Sequence, residues 1–167
     1  SHRGRRRVTP GSLRLRLLAG ASGFLLAAMA IAAVGLSMLF ERHVKSWIDA
    51  ELSAHIDQLI AGVDRDPNGQ FVIKTQPSDP RFTRPLSGLY WQATFEGSGQ
   101  TIRSRSLWDS KIDLPAQPPV DDHAHHHRIG GPSGQTLYAL EKHIELPARL
   151  GRQSVRFAAA VDEADVD

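Results

Sequence analysis

The 167-residue chain has no cysteine, only two methionines and two tyrosines, and no acidic residue before position 41. Without cysteine there is no disulfide framework, no thiolate metal site and no cysteine nucleophile. The length suits one compact domain, or one domain with an anchor, and leaves no room for a large multidomain enzyme. The missing acids are as informative. Arg3, Arg5, Arg6, Arg7, Arg14 and Arg16 precede position 17, whereas the stretch from Glu41 onward carries 14 basic and all 18 acidic residues. The overall basic character (pI about 9.3) therefore belongs to the N-terminus, and the remainder is mildly acidic. A nucleic-acid-binding domain carries its positive excess on the folded part, so nucleic acid is not an expected partner.

Leu17 to Phe40 is a run of 24 residues without a charge. As a helix rising about 1.5 Å per residue it crosses a hydrocarbon core of about 30 Å with some tilt. A cleaved signal peptide is the rival reading, because Ala28-Met29-Ala30 fits a small-x-small cleavage pattern. The ten further uncharged residues after Ala30 favour a retained anchor. The arginines before the span place the N-terminus in the cytoplasm and residues 41–167 outside it. Three segments follow: a basic cytoplasmic N-terminus (1–16), a transmembrane helix (17–40) and an exported domain (41–167).

Beyond the span, Phe40, Val44, Trp47, Ile48, Leu52, Ile56, Leu59, Ile60 and Val63 recur at three- and four-residue spacings. They predict an amphipathic helix running on from the membrane, a lever able to carry motion, ended by Gly62 and the turn Asp64 to Gly69. Strands are expected at Phe71–Lys74, Leu89–Phe95, Thr101–Leu107, Thr136–Ile144 and Gln153–Val161, with Asp113 to Pro132 a polar, Pro- and His-rich connection. The fold class is α+β: one long helix on an antiparallel sheet of about five strands. Asp162 to Asp167 reads as the acidic first turn of a helix, so the polypeptide is expected to continue.

Asp79-Pro80-Arg81-Phe82, Pro85-Leu86-Ser87-Gly88-Leu89-Tyr90-Trp91-Gln92 and Arg103-Ser104-Arg105-Ser106-Leu107-Trp108-Asp109 carry a resemblance. With the Arg-flanked span and its helical continuation, they resemble the N-terminal sensor region of a bacterial two-component sensor histidine kinase, of the PhoQ-like branch. The resemblance implies a periplasmic PAS-like (PDC) domain before a second span, a homodimer in the inner membrane, a response regulator as partner, and ATP and Mg²⁺ in a kinase part outside this chain. It also implies a parent protein-histidine kinase. No histidine here stands in a phosphoacceptor context, so no catalytic residue is carried over. A sensor domain serving a cyclase or chemoreceptor, or a membrane-tethered periplasmic binding protein, remains the alternative.

Two groups are candidate sites. Asp121, Asp122, His123, His125, His126 and His127 combine carboxylates and imidazoles suited to a divalent metal as stimulus, or to a response to protons. As a His-rich tract they equally suit a solvated loop. Tyr90, Trp91 and Trp108, with Arg103 and Arg105, could line a ligand pocket, although aromatic residues on neighbouring strands commonly form core. No nucleophile-elbow motif supports a hydrolase.

Overall fold

A computed structural model describes residues 11–166; Arg3, Arg5, Arg6 and Arg7 lie outside the described residues. The chain divides into two compact units, Ser1–Lys45 and Ser46–Asp167. Helix α1 spans Gly11–Gly62. In its first part Leu17, Phe24, Ile31 and Leu39 are all exposed, and the helix is long and apolar enough to cross a membrane.

In the second unit Ile48, Leu52, Ile56 and Leu59 of the same helix are buried. Gly62 ends it under steric constraint. A Cβ there would lie 2.4 Å from the Thr75 carbonyl oxygen, and the Gly62 carbonyl accepts the Lys74 amide at 2.8 Å. Strand β1 (Val63–Arg65) follows at once and pairs antiparallel with β2 (Phe71–Ile73). The Phe71 ring stacks on Phe95 at 4.2 Å, and the Arg65 guanidinium lies over the Phe71 ring at 4.1 Å.

The main sheet is antiparallel, in the order β4-β3-β7-β6-β5, with β3 Leu89–Phe95, β4 Thr101–Arg103, β5 His125–Gly130, β6 Thr136–Glu145 and β7 Ser154–Asp162. The architecture fits an α+β fold. The expected single set of about five strands is corrected in two ways. Phe71–Ile73 joins a separate two-stranded sheet, and the fifth place in the main sheet goes to β5, inside the segment expected to be a connection. The predicted strand Thr101–Leu107 stops at Arg103, because Ser104 and Ser106 turn inward and a 3-10 turn forms at Arg105–Leu107. Within the expected helical turn from Asp162, Glu163–Asp165 forms a 3-10 turn capped by Asp162, and Asp167 lies outside the described residues.

Register assigns the two sides of the sheet. Trp91, Phe157 and Leu140 share one side with Tyr138 and Lys142, whose partners are Asp49 and Asp57 of α1, so the helix covers this side. Tyr90, Gln92, Ala158, Ala160, Leu137, Ala139, Glu141, His125 and His127 face the other way. There Leu107 and Ile112, from the segment after β4, close a second apolar cluster with Tyr90, Leu137 and the three alanines.

Candidate functional site

On the side away from the helix, a fully buried carboxylate interrupts the alanines. Glu141 accepts from Arg156 Nε at 2.6 Å and lies 2.7 Å from His127 Nε2. Arg156 also donates to the Pro115 carbonyl at 2.7 Å, which ties the covering segment to the sheet. Gln92 makes a second tie: its amide donates to the Ile112 carbonyl at 3.1 Å and its oxygen accepts the Ile112 amide at 2.9 Å. A buried carboxylate is costly unless hydrogen bonds and an opposite charge meet it, and Arg156 supplies both. Beside it opens a cleft of about 380 Å³ lined by Thr94, Thr101, Arg103, Lys111, Asp113 and Arg156 among others.

The residues proposed for a ligand pocket are dispersed. Tyr90 and Trp91 are fully buried on opposite sides of β3. Tyr90 accepts the Gly88 amide and donates to Gln135 at 2.6 Å, and its burial raises the phenol pKa. Arg103 lines the cleft and donates to the Ser110 carbonyl. Arg105 is exposed in its 3-10 turn. Trp108 is 64% exposed, with φ of 57°. The segment 103–109 contributes instead a buried chain of hydroxyls: the Trp91 amide donates to Ser104 Oγ, which lies 2.8 Å from Ser106 Oγ, and Ser106 donates to the Leu89 carbonyl.

The His tract is split by the pleat of β5. His125 and His127 lie on the side away from the helix, where His125 Nε2 meets Asp121 at 2.7 Å. His126 lies on the helix side, stacked on Tyr138 and 2.8 Å from its hydroxyl. That hydroxyl donates to Asp49, and burial together with Asp49 pushes the Tyr138 pKa well up. His123 and Asp122 are exposed, and Asp121 and Asp122 line a shallow hollow with His143 and Glu145.

The sequence reading missed a third group. Glu51 and His55, one helical turn apart on α1, meet Asp79, and their donor atoms all lie within 4.8 Å of one another. Asp79 caps the 3-10 turn Pro80–Phe82 by accepting the Arg81 amide. The Arg81 side chain lies 2.8 Å from Asp79 and 3.3 Å from Glu51. This guanidinium holds the Asp79 carboxyl below its ordinary pKa. Phe82 sets its ring against the His55 imidazole, 5.0 Å away and nearly perpendicular. Burial lowers the His55 pKa, so the ring is neutral at pH 7. The Glu-x-x-x-His spacing is readable in the sequence; its meeting with Asp79 depends on the fold.

The second unit thus carries buried ionic ties and an open cleft, and one comparison gives them a setting. The likeness is to a sensor kinase. The chain is 31% identical to the sensor protein kinase CarS of Pseudomonas aeruginosa over 152 residues, 90% of this chain and 32% of that protein. It thus spans about a third of that relative's length. No family model matches the chain, and no solved structure matches it. The match supports a sensor region of a two-component kinase, and together with the apolar helix it fits an inner-membrane location.

Proposed function

We propose that this chain is the signal-sensing membrane region of a two-component sensor histidine kinase, with residues 41–167 a periplasmic PAS-like sensor domain. The likeness to a sensor kinase across nine-tenths of the chain carries the reading. Two further features support it. The helix that supplies the apolar span also supplies Leu52, Ile56 and Leu59 to the domain core. The segments Asp79–Phe82 and Arg103–Asp109, on which the PhoQ-like resemblance rests, form the 3-10 turns that bracket β3 and β4. In this reading the protein is a homodimer in the inner membrane and its partner is a response regulator. ATP and Mg²⁺ serve a kinase part. No phosphotransfer step is assigned to this chain.

The test is a chimera in which this chain replaces the matching region of the CarS-type kinase. Membrane insertion with kinase output that responds to periplasmic conditions is the expected outcome. A reporter joined after residue 70 should be active in the periplasm. Cytoplasmic reporter activity there, or a chimera whose output ignores every periplasmic change, overturns the reading.

A further inference from the structure

We propose that Glu51, His55 and Asp79 form a binding site for a divalent metal of the zinc class, which enters by exchange with the Arg81 guanidinium. The donor chemistry selects the metal. One imidazole nitrogen and two carboxylate oxygens suit zinc and its transition-metal neighbours, whereas magnesium and calcium favour oxygen alone. Three protein donors also leave a coordination position open.

The second observation is the imidazole itself. Both ring nitrogens of His55 are buried and neither has a hydrogen-bond partner. Its Nε2 stands 3.8 Å from Glu51 Oε1, beyond hydrogen-bond reach. Buried polar atoms are nearly always paired, so an imidazole unpaired beside two carboxylates offers a free donor atom to the cluster.

The donors are held from two directions. Glu51 and His55 are fixed by the helix, with Leu52 and Ile56 beside them in the core. Asp79 is fixed as the cap of its turn, and Phe82 sets the imidazole plane. With metal bonds of about 2.0–2.2 Å, donors spread over 4.8 Å close on an ion by side-chain rotation alone. Arg81 is the competitor, a resident cation bridging both carboxylates. A divalent ion replaces its single charge with two and gives His55 a partner. The displaced side chain, already 34% exposed, is drawn by Asp165 in the last 3-10 turn. Binding therefore converts one cation bridge into another and frees an arginine. This claim concerns binding and stands whether or not the domain belongs to a kinase.

The whole 167-residue chain in detergent micelles is titrated with Zn²⁺ against a chromophoric chelator, and with Co²⁺ followed by its visible absorption. One equivalent bound at micromolar concentration or tighter is expected. His55→Gln and Asp79→Asn should each weaken binding at least tenfold while keeping the far-ultraviolet circular dichroism of the parent. Arg81→Gln should bind more tightly, since the competitor is gone, an outcome that a merely structural ion pair does not produce. Replacing His123, His125, His126 and His127 by Ala should leave the tight equivalent in place. The proposal is overturned by no tight equivalent, by unchanged binding in the folded His55→Gln variant, by weaker binding in Arg81→Gln, or by loss of the equivalent in the His-tract variant.

Discussion

The two sides of the main sheet are held by different physics. Toward the helix, Trp91, Phe95, Phe157 and Leu140 are buried against an apolar stripe, and the polar links Tyr138–Asp49 and Lys142–Asp57 lie around it. Away from the helix, small alanines leave room for a buried Glu141, and the covering segment is attached through Gln92 and Arg156. Apolar burial is strong and without direction, so it fixes the helix firmly whatever the detail of its neighbours. Polar ties are individually weaker and demand one geometry, so they specify where a loop lies more than how strongly it is held. The side with the open cleft is the side with the specific ties.

Substitutions on the two sides should therefore fail differently. Phe157→Ala on the helix side should cost about 3–5 kcal/mol of global stability, read as an earlier midpoint in denaturant unfolding. Glu141→Ala should cost about 3 kcal/mol, because it leaves the Arg156 guanidinium buried with only the Pro115 carbonyl. Adding Arg156→Met should recover much of that loss; a double variant as unstable as the sum of its parts would mean that the pair acts through packing alone. Gln92→Leu should cost about 1–3 kcal/mol by orphaning the Ile112 amide and carbonyl. Its signature should be local, with faster hydrogen exchange around Ile112 and protection retained in β3 and β7. Global unfolding at the same midpoint shift as Phe157→Ala would erase the distinction between the two sides.

The smallest effect is expected from acid. Arg81 depresses the Asp79 pKa below its ordinary 3.8, so the folded state holds this proton less tightly than the unfolded chain. The stabilisation is complete above that ordinary value and is lost as pH falls through the depressed one. Arg81→Gln should bring the Asp79 titration, followed by carboxyl NMR shifts, back toward 3.8. A titration unchanged by that substitution would remove Arg81 as the cause.

What the sequence disclosed follows the same division. The helix stripe Ile48, Leu52, Ile56 and Leu59 was readable from its spacing, as were β3, β6 and β7 from their β-branched and aromatic residues. Strand β5 was hidden, because His125-His126-His127-Arg128 has little intrinsic strand preference and its alternation appears only once β6 is beside it. Strand β1 was hidden in the helix pattern, where Val63 continues the apolar spacing while its backbone has already left the helix. Of the candidate sites, residue types were legible and company was not. Nothing local announces that Glu141 is buried between His127 and Arg156, or that Asp79 reaches a helix 24 positions earlier in the chain.

Strand β5 also closes one end of the sheet, with β6 its neighbour on the inner side. The outer edge of such a strand is a template on which another chain can pair. Here three imidazoles and a guanidinium bond to Asp121, Glu141, Tyr138 and Glu163 within the same domain, and Ile129 packs against the apolar cluster. A strand of six residues offers a second chain only a short ladder, so extension from this edge would gain few backbone hydrogen bonds.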